Sequence, residues 1–429
     1  MTVISGELQG TDSSERSGWK LRCPACDSIY PIGVYPDGCP ACRSNGKTDA
    51  LRVDYEHAGT YRPEASHGVG IWENWGTFLP DVPPALRVTL GEGNTPLLQV
   101  EALAELTGCR NVFLKMEAQN PSGAHKDRFH AVNVAMAAAL GKKGVVARST
   151  GNHGLSMTAY CAAHGLQAVV VANERMPLLL QRAIRFAGGL PLLSPADVAD
   201  EIVRALDATG NWLQRPTAWP MPTANPYGIE GYKTIAYEIF RDLGGRWPDR
   251  LLIPTAGGDL LTGIRYGQED LLRAGCQAAG GRYIACQPTG AAPLVAALEQ
   301  GLEEVRQLDD AHSIALSIAD PITGRNALDV VRETGGGAVA VTDEEILDAG
   351  NVLAKAGLFV EPSSAAPVAV LRKLAEHDPA IQDETIVCVL TSSALKWLDD
   401  YGDATVAAGV ETRSLDAALS AVAGQFGQV

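Results

Sequence analysis

From residue 111 onward the chain alternates short aliphatic and β-branched runs with longer amphipathic stretches. This alternation constrains the fold more than any other feature. Val112–Met116, Val145–Arg148, Ala168–Ala172, Leu251–Pro254, Tyr283–Cys286 and Ile386–Leu390 are nearly unbroken apolar runs, the pattern of strands buried on both faces. Between them, His130–Leu140, Leu155–His164, Gln181–Gly188, Gly231–Leu243 and Thr342–Ala356 have the spacing of helices. The last opens with Thr342-Asp-Glu-Glu345, a capping box in which threonine and glutamate each satisfy a first-turn amide. Strands separated by helices of this length form βαβ units, so the fold class is α/β with open parallel sheets. The segment Leu213–Pro226 carries four prolines and marks a connection between two lobes.

Composition removes several function classes. With 429 residues, 46% of them apolar, the chain can bury two or three cores and is not a disordered protein. Its net charge of −15 disfavours nucleic acid as a partner, because that binding needs basic surface. No apolar run reaches the ~18 residues of a membrane span, and residues 1–18 lack a basic start followed by an apolar stretch. These features predict a cytoplasmic protein with no membrane partner.

Four of the nine cysteines fall close together, as Cys23-Pro-Ala-Cys26 and Cys39-Pro-Ala-Cys42. Two such knuckles suit a tetrahedral Zn(2+) held by four thiolates, and four protein ligands leave no open position, so its role is structural. A redox pair and four free thiols are the other readings. Pro24, Gly38 and Pro40 help turn backbone amides toward the sulfurs. The expected division is a flexible 1–18, a zinc ribbon 19–57, an arm and smaller lobe 58–225, and a larger lobe with a C-terminal tail 226–429. Within it, 58–96 is an arm wrapping the next domain, and the last 25 residues are a terminal helix or a loose tail.

Four segments carry chemistry. In Asn120-Pro-Ser-Gly-Ala-His-Lys126-Asp-Arg128 a lysine opens a helix, where the dipole disfavours a cation. That placement makes sense for an amine kept neutral as a nucleophile, although a solvated surface lysine is the simpler reading. Ser149-Thr-Gly-Asn-His-Gly154 again joins a strand to a helix, offering amides to an anion or serving as an ordinary cap. Pro254-Thr-Ala-Gly-Gly-Asp259-Leu pairs glycines that let backbone close around a phosphate. A carboxylate there would repel a phosphate, so Asp259 is expected to cap the following helix with its side chain turned away. Thr391-Ser-Ser-Ala-Leu-Lys396 places hydroxyls at the carboxyl end of a strand, where α/β sheets hold ligands. His125 and His153 flank the proposed site. His57, His164, His312 and His377 are structural or solvated, and the lone cysteines are small hydrophobes.

In this order the segments resemble the tryptophan-synthase-β type of pyridoxal-phosphate (PLP) enzyme, threonine synthases most closely. The likeness runs from Val88-Thr-Leu-Gly-Glu-Gly-Asn-Thr-Pro-Leu97 to Lys396. It includes Asn225-Pro-Tyr-Gly-Ile-Glu-Gly-Tyr-Lys233-Thr, Gln287-Pro-Thr-Gly-Ala-Ala-Pro293 and Val360-Glu-Pro-Ser-Ser-Ala-Ala366. Zinc knuckles also occur on some microbial threonine synthases. The resemblance implies PLP fold type II, a homodimer and a small amino-acid substrate. It implies that Lys126 bonds the cofactor and shuttles the proton at the substrate Cα, and that Asn152 holds the ring hydroxyl. Ala256, Gly257, Gly258, Asp259 and Leu260 would cradle the phosphate, and Thr391 would face the ring nitrogen. A neutral hydroxyl there leaves the ring a weaker electron sink, suited to elimination and replacement. Ser149, Thr150, Gly151, Asn152 and His153 would hold the substrate carboxylate.

Some residues depart from that pattern. Threonine synthases commonly read Ser-Phe-Lys at 124–126, Thr-Gly-Asn-Thr at 150–153 and Thr-Gly-His-Gly-Leu-Lys at 391–396, and carry an arginine at Gly228. The histidines here instead resemble tryptophan synthase β and the serine or threonine dehydratases. Two reactions therefore stay open: O-phospho-L-homoserine to L-threonine, and β-elimination or β-replacement on serine, threonine or O-phosphoserine. A catalytically inactive zinc-ribbon interaction protein is the reading from another class.

Overall fold

The computed structural model describes residues 19–45, 47, 49–56, 59–61, 68–149, 151–174, 176–215, 225–398, 414, 418 and 420–422. The flexible segment expected at 1–18, most of the proline-rich connection and most of the C-terminal tail lie outside the described residues, as does His57.

Two open sheets carry the α/β body. The larger has six strands in the order Gly337–Val341, Arg282–Pro288, Arg250–Pro254, Thr385–Val389, Asn111–Lys115 and Leu97–Gln99. All neighbours are parallel except the last pair. The smaller has four parallel strands in the order Leu190–Leu193, Gln167–Ala172, Gly144–Arg148 and Trp212–Arg215. The six apolar runs are all present as strands, within two residues of their expected ends, and Thr342 and Glu345 form the expected capping box. The larger sheet draws on both sides of the expected 225/226 boundary. Asn111–Lys115 precedes the smaller lobe in sequence but pairs with Thr385–Val389.

Two helices tie the lobes together. Lys126–Ala139 is buried on nearly all sides, which its run of alanines permits, and Pro226–Asp242 is buried along almost its whole length. Between them lies a fully buried ion network. Arg128 meets Glu117 at 2.7 Å and Glu238 at 2.7 Å, while Lys115 meets Glu238 at 2.6 Å. The Gly91–Pro96 motif closes this network from outside. Thr95 donates to Glu117, and Lys115 donates to the Thr95 carbonyl, both at 2.6 Å. The arm expected over 58–96 packs its Trp75 and Phe78 rings on Tyr237 of the second helix, with centroids 5.3 and 4.6 Å apart.

At the amino end a three-stranded antiparallel sheet, Ile29–Tyr30, Trp19–Arg22 and Arg52–Tyr55, carries the cysteine knuckles. It docks on the same helix. The Tyr227 hydroxyl donates to the Gly33 carbonyl at 2.6 Å, and the Tyr55 hydroxyl donates to Glu230 at 2.6 Å.

Candidate active site

The strand ends and helix starts of both lobes converge on one cavity of about 530 Å³. It opens beyond the carboxyl ends of Arg250–Pro254 and Thr385–Val389 in one sheet and Gly144–Arg148 and Gln167–Ala172 in the other, the ligand position of α/β folds.

Three helices begin at its wall. Lys126 is the first residue of Lys126–Ala139, Asn152 of Asn152–His164, and Asp259 of Asp259–Arg273. Three sets of first-turn amides and dipole ends thus face one space, a setting for an anion. Lys126 is half-buried, with its ammonium 5.6 Å from the centre of the Tyr232 ring. The loop before it is held firmly. Gly123 adopts a φ of 73°, and its N–H closes a turn on the Asn120 carbonyl at 2.7 Å. Asp127, its pKa raised by burial, accepts from the hydroxyls of Ser122 and Ser156, each at 2.6 Å. Lys396 donates to the carbonyls of Ser122 and Gly123, so the basic end of the fourth segment braces the first.

In the second segment the Ser149 hydroxyl accepts from the amides of Gly151 and Gly154 at 3.2 and 3.1 Å. Asn152 donates to Glu361 at 2.9 Å and accepts from the Ser392 hydroxyl at 3.2 Å. The Thr391 hydroxyl lies 2.7 Å from that of Ser364. In the third, Gly258 takes a φ of 103° and is itself the N-cap. The Ala256 and Gly257 carbonyls are tied back by the Thr323 hydroxyl and the Gly324 amide, both at 2.8 Å.

Lys126, Ser149, Gly151, Asn152 and His153 line the cavity, as do Ala256, Gly257, Gly258, Asp259, Leu260 and Thr391. Thr150 lies outside the described residues. Asp259 lines the cavity as the first residue of its helix, next to Gly258, which holds the N-cap position. Sequence reasoning gave no role to Glu361, although its motif was visible, nor to His130, Ser317 or the ion pair Arg148–Asp200 at 2.9 Å on the smaller lobe's wall. Ser317 sits in a loop without pattern.

The donor set fits PLP. A half-buried lysine, a cradle of first-turn amides and a buried amide share the cavity with hydroxyls from the strand end. Behind Asn152, one carboxylate oxygen of the buried Glu361 has no hydrogen-bond partner among the described residues. The four cysteine sulfurs also gather, all within 4.8 Å of one another. Cys23–Cys42 and Cys26–Cys39 stand at 3.6 Å, far beyond the ~2.05 Å of a disulfide. That spacing is close to the edge of a tetrahedron with metal–sulfur bonds of about 2.3 Å, so the cluster is compatible with zinc.

A family described as pyridoxal-phosphate dependent enzymes matches residues 88–392. The chain belongs to this PLP-dependent family. This PLP enzyme is 31% identical over 417 residues to a threonine synthase of Methanosarcina acetivorans, covering 95% of this chain and 99% of that one. It is 32% identical over 383 residues to a threonine synthase of Methanocaldococcus jannaschii, covering 87% and 92%. A solved fungal L-serine ammonia-lyase from Rhizomucor miehei superposes with a TM-score of 0.63 at 23% identity, over 73% of this chain and 99% of that one. The expected fold, PLP type II with two open, mainly parallel sheets, is the fold of this family member.

Proposed function

We propose that this chain converts O-phospho-L-homoserine and water to L-threonine and phosphate. The observation that carries the reading is the likeness to the Methanosarcina acetivorans threonine synthase. It covers so much of both chains that the amino-terminal knuckles fall within it.

When bound, PLP supplies an electron sink that makes the substrate Cα proton acidic. The amides of residues 256–260 would hold the cofactor phosphate, Asn152 its ring hydroxyl, and Thr391, whose hydroxyl meets that of Ser364, its ring nitrogen. Glu361 orients Asn152. Lys126 would hold the cofactor through its amine, and once the substrate's amino group takes its place there the freed amine would carry the proton at the substrate Cα. Ser149, Thr150, Gly151, Asn152 and His153 hold the α-carboxylate. Cys23, Cys26, Cys39 and Cys42 hold a structural zinc in the ribbon. The enzyme is a cytoplasmic homodimer.

One observation favours a second reading, β-elimination or β-replacement on serine, threonine or O-phosphoserine. Gly228 is packed under Phe129, and no arginine fits there to grip a phosphate. Offering the PLP-loaded protein O-phosphohomoserine, O-phosphoserine, serine and threonine separately distinguishes the two. Phosphate release with threonine formation from the first supports the proposal. Turnover of the three-carbon substrates or of threonine alone, giving ammonia and a keto acid, replaces it with the second. A colourless protein that takes up no PLP refutes both.

A further inference from the structure

The loop that leads into Lys126 is held by a short ladder at the end of the larger sheet. Ala124 bridges Ser392 and Val360 bridges Ser393, both antiparallel, so the loop, residues 391–393 and the Glu361 segment lie side by side. The His125 amide donates to the Thr391 carbonyl, and the Ser393 amide to the Gly123 carbonyl, both at 2.9 Å. Those ties use backbone groups, which a substitution leaves in place. Lys396 adds a side chain. Its ammonium donates to the Ser122 and Gly123 carbonyls at 2.8 and 3.1 Å, from outside the cavity lining. From the other side, Asp127 accepts from the Ser122 amide and hydroxyl, both at 2.6 Å.

An ammonium is a costly group to place against two neutral carbonyls. Burial pushes the Lys396 pKa down, and the Glu361 and Asp127 carboxylates oppose that push. What the ammonium supplies is geometry. One donor group fixes two successive carbonyls, four and three residues before Lys126. The second belongs to Gly123, whose φ of 73° marks the most easily relaxed point of the turn. We propose that Lys396 is a positioning residue for Lys126: by clamping the Ser122 and Gly123 carbonyls it fixes where the Lys126 amine stands in the cavity. This rests on the reading of Lys126 as the residue that bonds PLP, and it extends that reading to a lysine that touches neither cofactor nor substrate.

Two forms of the cofactor separate this role from a general loosening of the cavity. Pyridoxine 5'-phosphate carries an alcohol where PLP carries its aldehyde, so it uses the phosphate turn and Asn152 without bonding Lys126. Lys396→Met keeps an unbranched side chain and removes its donors, whereas Lys396→Gln keeps one amide donor group. In the cofactor-free full chain, Lys396→Met is expected to weaken PLP uptake about tenfold, the worth of one hydrogen bond from a charged group, and to leave pyridoxine 5'-phosphate binding unchanged. Lys396→Gln should lose less. In a Lys126→Ala background, Lys396→Met is expected to add nothing, since the amine it positions is already gone. Equal weakening of both ligands, no weakening of PLP, or an undiminished effect in the Lys126→Ala background overturns the proposal. Should Lys396→Met fail to fold, Lys396→Gln carries the same comparison, with a smaller loss confined to PLP expected. Borohydride reduction tells this failure from that of the underlying reading. Label on a lysine other than Lys126 sinks both, whereas label on Lys126 with both ligands weakened equally sinks the positioning role alone.

Discussion

The ring of Phe129 fills the space that any side chain at position 228 would need: a Cβ built on Gly228 would lie 2.1 Å from Phe129 Cζ. Phe129 also packs on His130, His153 and Tyr232, so the glycine and the histidines belong to one packed wall. Gly228→Ala is expected to cost about 1–3 kcal/mol through overpacking. Urea unfolding measures it, and a wild-type midpoint would show that the ring moves aside freely. In a Phe129→Ala background, itself destabilised by the cavity it opens, Gly228→Ala should cost less than it does in the wild-type chain.

Lys126→Ala is expected to abolish turnover while leaving weak, non-covalent PLP uptake, because Asn152 and the turn at 256–260 remain. Borohydride reduction of the wild-type holoenzyme should place the cofactor on the Lys126 peptide. Lys115 and Lys233 are committed to buried ion pairs at 2.6–2.7 Å, and Lys396 to two loop carbonyls. Recovery of the label on any of these three would refute the assignment.

Cys39→Ala is expected to release zinc and lower the thermal midpoint while sparing PLP uptake in the protein that survives. The ribbon touches the body through Gly33–Tyr227 and Tyr55–Glu230, away from the cavity wall. Metal analysis together with a melting curve tests this. If chelation stops turnover at unchanged stability, the metal is not merely structural.

Burial raises the Glu361 pKa above its ordinary 4.5. Between that ordinary value and the raised one the folded chain holds a proton that the unfolded chain has lost. Wild-type stability should therefore fall as pH rises through the window. Glu361→Gln removes the titration. In cofactor-free protein, unfolding free energies of wild type and variant should diverge upward from about pH 4.5, with the variant gaining. Parallel curves would mean that the carboxylate is solvated.

The six strands legible as unbroken apolar runs are the six interior strands of the two sheets. The four that were not, Leu97–Gln99, Leu190–Leu193, Trp212–Arg215 and Gly337–Val341, are the four edges. An interior strand in a parallel sheet is covered on both faces and both sides, which favours mostly aliphatic residues. The edge strands are mostly half-exposed, so no such demand marks their sequence. The four chemical segments were legible for a similar local reason. Each is a strand-to-helix junction whose glycines, prolines and hydroxyls serve the turn itself.

What the sequence by itself determined was thus the set of interior strands, the junctions between them and the cysteine knuckles, all properties of neighbouring residues. Only the tertiary structure decided that Thr385–Val389 inserts between Arg250–Pro254 and Asn111–Lys115, bringing Thr391 beside the loop that carries Lys126. The same packing set Glu361 against Asn152, 209 residues away, and seated Phe129 over Gly228. Such contacts join residues far apart in the chain. They follow from how whole helices and sheets fill space against one another, and no local periodicity encodes them.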